Sequence, residues 1–168
     1  MGENPRSVRL DKTYRLMEKI ASFTVNHNHL TQGMYLSRKD GDIVTYDLRF
    51  RRPNREQVLS NAALHTIEHL MATVLRNGET ADRIIYFGPM GCRTGFYLLL
   101  RDVKPADALH ITVDAIKAVS CWSGEIPGAA EAECGNYREY DLLAAKQEAA
   151  MMFDVLKNWT EENLTYKT

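Results

Sequence analysis

The alternation of apolar and polar residues predicts short β-strands in the first hundred positions of this chain. The clearest strand is marked by Val44, Tyr46, Leu48 and Phe50, which alternate with Thr45, Asp47, Arg49 and Arg51. A period of two indicates a strand with one buried face, and this one follows a turn signal at residues 39–42. Its polar face therefore carries Asp47 and Arg49. Apolar and β-branched segments predict further strands at residues 20–25, 34–36, 83–87 and 95–100.

A helical period begins near residue 60. Ser60 or Asn61 can cap a helix that ends at about Asn77, where Gly78 supplies the stop. Apolar side chains at helical spacing form one face of this helix, so we expect it to pack on a core. Two more helices are predicted over residues 106–119 and 141–159, and a long connection containing Gly and Pro joins them.

These elements predict a single α+β domain with an antiparallel sheet packed against helices, because strands and helices do not alternate in a regular βαβ order. The length of 168 residues suits one domain. Residues 1–16 are charged and lack a clear period, so we interpret them as an N-terminal extension or an artefact of the assigned start. The folded domain is expected over residues 17–168.

Charge and composition argue against several functional classes. Lys and Arg number 21 against 22 Asp and Glu, which leaves no positive excess for binding nucleic acid. No apolar run approaches the roughly 20 residues that cross a bilayer, and the polar N-terminus lacks the apolar core of a secretory signal. We therefore expect a cytoplasmic protein that does not bind membranes. Three widely spaced cysteines suit reduced thiols or metal ligands better than disulfides.

The predicted helix near residues 61–77 carries the sequence His65-Thr-Ile-Glu68-His69. Histidines at positions i and i+4 lie on one side of a helix, so both imidazoles can reach one metal ion. Glu68 lies near the same face, where a carboxylate can move protons without binding the metal. The alternative is an amphipathic helix whose histidines only bond to water or to neighbouring carbonyl groups.

Cys134, which precedes Gly135 in the long connection, is the best candidate for a third ligand because a thiolate suits Zn or Fe(II). A site with three protein ligands leaves one coordination position open. An open position is typical of a catalytic metal, since a substrate oxygen can be polarised there. The alternative for Cys134 is an inert loop thiol.

Cys92 lies beside Arg93 in a glycine-rich bend at residues 88–95. Glycines let the backbone approach a ligand closely, and a positive neighbour favours the thiolate, which can act as a base or a nucleophile. Without further context, a buried thiol that serves as a small hydrophobic residue is the commoner case. Cys121, next to Trp122, lacks such a setting and is interpreted as structural.

Several segments, in order along the chain, resemble the S-ribosylhomocysteine lyase family. They are SFTVNH at 22–27, YDLRF at 46–50, HTIEHL at 65–70, GPMGCRTGFY at 88–97 and ECGNY at 133–137. The resemblance implies a homodimer whose active sites lie at the subunit interface. It also implies a metal ion held at the positions of His65, His69 and Cys134, with Fe(II) favoured and Zn or Co(II) as substitutes.

The reaction implied by the resemblance acts on S-ribosylhomocysteine. The sugar carbonyl moves along the chain in two steps, after which homocysteine is eliminated and 4,5-dihydroxy-2,3-pentanedione remains. This product is the precursor of autoinducer-2, a quorum-sensing signal. Cys92 matches the family's acid/base cysteine, which moves protons between sugar carbons, and Glu68 matches the acidic residue that serves oxygens and the elimination step.

Four further residues match family positions that contact the substrate. Ser22, His27 and Arg49 match positions at the ribose, and Arg76 matches a position near the amino-acid end of the substrate. Ordinary polar residues at the protein surface are the alternative reading for all four.

Two other functions compete with a lyase. The H-x-x-E-H sequence also occurs in a class of metallopeptidases, but those enzymes use a distant carboxylate as third ligand and would leave Cys92 and Cys134 without roles. A noncatalytic module with a structural metal is the other alternative. Structural sites are typically closed by four protein ligands, and a fourth ligand is not evident in this sequence.

Overall fold

The computed structural model describes residues 20–167, apart from the side chains of residues 21 and 22. The interpretation of residues 1–16 as an extension lies outside the described residues. The helices are α1 (Ala21–Thr24), α2 (Asn61–Arg76), α3 (Pro105–Ser120) and α4 (Leu142–Leu156), and the strands are β1 (Gly33–Asp40), β2 (Ile43–Arg49), β3 (Ile84–Pro89) and β4 (Gly95–Arg101). Short 3-10 helices lie at Ala81–Arg83 and Glu161–Leu164.

The antiparallel sheet and the three long helices confirm the α+β fold predicted from the sequence. Within the described residues, the sheet has the strand order β1-β2-β4-β3, and each neighbouring pair is antiparallel. β2 and β4 pair in continuous register from Ile43 opposite Arg101 to Arg49 opposite Gly95. The helices pack together, and α2 also contacts β3.

The hydrophobic core lies between the helices and one face of the sheet. Its most buried members include Met34, Tyr46, Leu48, Phe96, Leu98, Ile67, Leu70, Met71, Ile116 and Met152. The predicted start of α2 is confirmed, because the Ser60 side chain accepts a hydrogen bond from the backbone N–H of Ala63 at 3.2 Å. Among the described residues, no helix has both the length and the apolar character that crossing a bilayer requires.

The strand predicted at residues 20–25 is wrong. Ala21–Thr24 forms a single helical turn between the extended residues Ile20 and Val25. A short apolar run cannot be assigned to strand or helix by its period. The described sheet begins instead at Gly33, beyond the polar segment.

The polar side of β2 is buried rather than exposed. Asp47 and Arg49 are each only 2% exposed, although the alternating pattern assigned them to a polar face of a half-buried strand. The tyrosines Tyr35 and Tyr166 stack on each other beside this pair, and the Tyr166 hydroxyl bonds to Asp47. The alternation of β2 was predicted correctly, but the burial of its polar face by the two tyrosines was not.

Candidate metal centre and reactive thiol

Two histidines of α2 face the connection between α3 and α4. The Nδ1 atom of His65 lies 3.0 Å from the carbonyl oxygen of Glu139, and that of His69 lies 2.8 Å from the carbonyl oxygen of Pro127. A carbonyl oxygen only accepts hydrogen bonds, so each Nδ1 atom carries a proton, and in the neutral imidazole the lone pair that can bind a metal is then on Nε2. Metal-ligating histidines are commonly oriented by such a second hydrogen bond.

The connection between α3 and α4 approaches α2 closely at Gly128. This residue has a φ of 75°, and a Cβ atom built on it would lie 2.9 Å from Nδ1 of His69. Both observations favour glycine, because a side chain would be strained and would press against the imidazole. Near the end of the connection, Thr66 accepts a hydrogen bond from the backbone N–H of Asp141 at 2.9 Å. The connection is thus held against the histidine side of α2.

This connection brings Cys134 to the two imidazoles. Its Sγ atom lies 3.4 Å from Nε2 of His65, and the ligand atoms of His65, His69 and Cys134 all lie within 4.8 Å of one another. Two imidazole nitrogens and a thiolate form a donor set that suits Zn(II) or Fe(II). These three residues, which the sequence suggested as ligands, therefore lie close enough to hold one metal ion.

Tyr140 lies against the same cluster and was not identified from the sequence. Its ring stacks on His65 with centroids 4.4 Å apart, and its hydroxyl lies 3.2 Å from Nε2 of His69. Desolvation raises the pKa of this phenol, and the neighbouring Cys134 and Glu68 raise it further, so the hydroxyl stays protonated at neutral pH. Its place shortly after Cys134 in the chain was the one available signal.

Glu68 is half-buried on α2, one residue before His69. It is not one of the three residues of the candidate metal cluster, but its charge acts on the Tyr140 hydroxyl beside that cluster. Its position therefore suits a carboxylate that works next to a metal ion without binding it.

A second site surrounds Cys92 in the bend between β3 and β4. Its Sγ atom lies 3.1 Å from Oγ1 of Thr94 and 3.9 Å from Nη1 of Arg49. Partial desolvation raises the pKa of the Cys92 thiol, but hydrogen bonds with Thr94 and the positive charge of Arg49 lower it more. The pKa therefore lies below its usual value, and the thiolate is favoured. Cys92 is exposed, so a small molecule can reach the thiol.

The positive charge beside Cys92 comes from Arg49 and not from Arg93, the neighbour suggested by the sequence. Arg93 directs its Nη1 atom to Oδ1 of Asn61 at 3.2 Å. Arg49 reaches the bend because the β2–β4 pairing places it opposite Gly95. Adjacency in sequence points to Arg93, whereas the sheet register brings Arg49 to the thiol from a neighbouring strand that is far away in sequence.

The remaining residues matched to substrate positions have separate settings. His27 is half-buried, and its Nδ1 atom lies 2.9 Å from the carbonyl oxygen of Val25. Arg76, in the last turn of α2, donates to two backbone carbonyl groups of β3. The side chain of Ser22 lies outside the described atoms. Substrate contact by these residues stays a prediction.

Comparisons with known proteins agree with the resemblance seen in the motifs. The family model described as S-ribosylhomocysteinase (LuxS) matches residues 20–163. An S-ribosylhomocysteine lyase of Desulfotalea psychrophila is 52% identical over 157 residues, which cover 89% of this chain and 99% of the relative. S-ribosylhomocysteine lyases of Clostridium beijerinckii and Borreliella burgdorferi are 50% and 46% identical, with the same coverage. The resemblance seen in the motifs is confirmed, and the chain belongs to the S-ribosylhomocysteinase (LuxS) family.

Proposed function

We propose that this chain is a carbon–sulfur lyase that converts S-ribosylhomocysteine to homocysteine and 4,5-dihydroxy-2,3-pentanedione. The observation that carries the proposal is the cluster of His65, His69 and Cys134, which fits a metal ion, in a chain whose relatives are named for this lyase. The metallopeptidase alternative is not supported, because the relatives bear lyase names and the third donor is a thiol rather than a carboxylate.

Moving the carbonyl group along the sugar requires a base that acts on carbon. Each shift removes a proton from the carbon beside the carbonyl group and returns a proton to the former carbonyl carbon. We assign this role to Cys92, because its thiol is exposed and its pKa is lowered. Arg49 and Thr94 stabilise the thiolate while the proton is on the substrate.

Glu68 is proposed to carry protons to and from substrate oxygens and to assist the elimination. In the last step the carbon beside the carbonyl group loses a proton, and the released electrons form a carbon–carbon double bond as the neighbouring carbon–sulfur bond breaks. The electron pair of the broken bond stays on sulfur, and a proton completes the homocysteine thiol. A metal ion held by His65, His69 and Cys134 would polarise a substrate oxygen and stabilise the negative charge that develops there. A thiolate and a carboxylate thus divide proton transfers at carbon and at oxygen between them.

Fe(II) is proposed as the native metal, with Zn or Co(II) as substitutes. Two imidazoles and a thiolate accept all three ions, and the ion that fills such a site depends partly on metal availability. Anaerobic purification followed by elemental analysis tests this assignment. Stoichiometric Zn and no Fe in anaerobically prepared protein would contradict it.

The family resemblance supports the remaining parts of the proposal. Ser22, His27 and Arg49 are proposed to contact the ribose, and Arg76 to lie near the amino-acid end of the substrate. We also propose that the protein is a cytoplasmic homodimer with active sites at its interface. Its dione product is proposed to be a quorum-sensing precursor. The position of Arg49 beside Cys92 supports a place for the ribose next to the thiol.

The decisive experiment is a product assay on the metal-loaded protein. S-ribosylhomocysteine is added, the released thiol is measured with a disulfide reagent, and the dione is trapped with a diamine. We expect thiol and dione in equal amounts. The absence of thiol release, or thiol without dione, would contradict the proposed reaction, and cleavage of casein would restore the peptidase alternative.

A further inference from the structure

Asp47 and Arg49 form a buried ion pair on the side of β2 opposite the core residues Tyr46 and Leu48. Nε and Nη2 of Arg49 donate to the two carboxylate oxygens of Asp47 at 3.0 and 2.6 Å, which is a bidentate geometry. Each side chain is 3% exposed. The two side chains of such a buried pair are held in one conformation, because breaking the pair would leave a buried charge without a partner.

The bidentate contact uses Nε and Nη2 of Arg49, so Nη1 is available for contacts at the Cys92 thiol. Its Nη1 atom donates to Oγ1 of Thr94 at 2.5 Å and lies 3.9 Å from Sγ of Cys92. The guanidinium is planar, so holding Nε and Nη2 determines the direction of Nη1. Asp47 therefore determines where the positive charge lies relative to the thiol.

Tyr166, near the end of the chain, also binds the Asp47 carboxylate. Its hydroxyl donates to Oδ2 of Asp47 at 3.0 Å, the oxygen that also accepts from Nη2 of Arg49. Its ring stacks on Tyr35, with centroids 5.0 Å apart and planes at 16°. Tyr166 lies outside residues 20–163, the part of the chain that the family model matches.

We propose that Asp47 and Tyr166 are positioning residues for the Cys92 thiolate. Tyr166 orients the Asp47 carboxylate, Asp47 orients the guanidinium of Arg49, and Arg49 stabilises the thiolate. This inference rests on the proposed function of Cys92 as the base. Both residues act on the thiol through Arg49, so Tyr166 supports the active site from a position far along the chain.

Asp47 has two opposing effects on the thiol. The negative charge of Asp47 disfavours the Cys92 thiolate, whereas the Asp47–Arg49 hydrogen bonds orient the guanidinium and so favour the thiolate. A guanidinium nitrogen lies 3.9 Å from Sγ of Cys92, while the Asp47 carboxylate binds the Nε and Nη2 edge of the same group. Losing the orientation of Arg49 should therefore outweigh losing the repulsion, so removing the Asp47 carboxylate should raise the pKa of Cys92.

The test is the pH dependence of iodoacetamide alkylation at Cys92 in the metal-loaded full chain, read by peptide mass spectrometry. Asp47→Asn keeps the side-chain shape but turns an amide N–H toward the guanidinium. We expect the apparent pKa of Cys92 to rise by about one unit, which slows alkylation below that pKa about tenfold. Cys121, which is also exposed, is the reference thiol in the same digests.

Tyr166→Phe offers a milder variant if Asp47→Asn does not fold. It keeps the aromatic stack and removes one hydroxyl, so we expect the pKa of Cys92 to rise by about 0.3 to 0.5 units, as suits one lost hydrogen bond. Tyr35→Phe is the matched control, since the Tyr35 hydroxyl bonds to Thr31 at 2.9 Å. That variant should leave the alkylation profile of Cys92 unchanged.

An unchanged or lower pKa of Cys92 in folded Asp47→Asn would overturn the role of Asp47. Identical profiles for Tyr166→Phe and Tyr35→Phe would overturn the role of Tyr166. Turnover gives a second readout, because Tyr166→Phe should lower kcat with little change in KM. Alkylation needs no substrate, so these outcomes are separate from failure of the proposed function, which would appear as wild-type protein that releases no homocysteine.

Discussion

His65, His69 and Cys134 each supply one donor atom to the candidate metal cluster, and a site with three protein donors cannot spare one. Replacing any of the three by Ala should therefore remove most of the bound metal. Elemental analysis after dialysis against a weak chelator measures the loss. His110→Ala is the matched control, because His110 is an exposed histidine of α3 paired with Asp114. Full metal occupancy in a ligand variant would remove that residue from the site.

Cys92 and Glu68 are expected to act on protons and not on the metal. Cys92→Ala and Glu68→Gln should fold and retain the metal, yet release homocysteine at least about a hundredfold more slowly, the usual scale for a lost acid/base group. Thiol release and elemental analysis on the same samples separate the two effects. Cys121→Ala serves as the control for loss of an exposed thiol.

The two variants should also fail at different steps. Cys92→Ala should block proton loss from carbon, so the substrate should not exchange its C2 hydrogen with deuterated solvent. Glu68→Gln should still permit exchange and accumulate a ketose, because its defect lies in proton delivery to oxygen or in the elimination. If Cys92→Ala keeps near wild-type turnover, the proton shuttle is wrong and Cys92 returns to being a small structural residue.

At the scale of single residues, the sequence predicted the donors that share one helix but not the groups that surround the thiol. His65 and His69 are one helical turn apart, so their proximity follows from the period of α2 alone. Arg49 and Cys92 are 43 positions apart, and their contact depends on the pairing of β2 with β4. Tyr140 reaches the histidines only because the connection after α3 folds back on α2.

At the scale of elements, long and regular periods predicted the structure well. α2 begins at the Ser60 cap as predicted, and β2 follows the alternation at residues 44–50 closely. Within residues 20–25, Ala21–Thr24 forms a helical turn instead of a strand, because a short run of apolar and β-branched residues fits either element. The burial of Asp47 was not predictable locally, since Tyr166 binds it from 119 positions away.

The backbone of β2 lies close to Gly95 of β4. A Cβ atom there would lie 2.1 Å from the carbonyl oxygen of Leu48, and a paired backbone cannot move aside like a flexible side chain. Gly95→Ala should therefore destabilise the fold by about 1–3 kcal/mol, the usual range for overpacking. Urea unfolding measures the change in the free energy of unfolding.

Gly91→Ala is the matched control for Gly95→Ala. Gly91 lies in the same bend, and nothing lies within 4 Å of a Cβ atom built on it. Its free energy of unfolding should stay within about 0.5 kcal/mol of wild type, as for most surface changes. Equal unfolding midpoints for the two variants would show that the β2–β4 contact relaxes at no cost.

At the scale of the whole molecule, the helices cover one face of the sheet and leave part of the other face open. On the open face, Tyr97 and Leu99 of β4 are half-buried, and Tyr86 of β3 is 48% exposed. A groove there is lined by Ile20, Ser37, Arg38, Thr45, Tyr86, Tyr97 and Leu99. Exposed aromatic and aliphatic groups of this kind are typical of protein interfaces, so this face supports the proposed homodimer.

The dimer proposal predicts a two-fold symmetric pair, because active sites shared between identical subunits require an isologous interface. Leu99→Arg should place a charge in that interface, dissociate the dimer and abolish homocysteine release, while circular dichroism shows an unchanged fold. Leu143→Arg, at a position of α4 that is 69% exposed, should remain dimeric and active. Sedimentation velocity at the assay concentration measures the association state. A fully active monomer, in either wild type or Leu99→Arg, would show that each chain holds a complete site and that the interface is not needed for the chemistry.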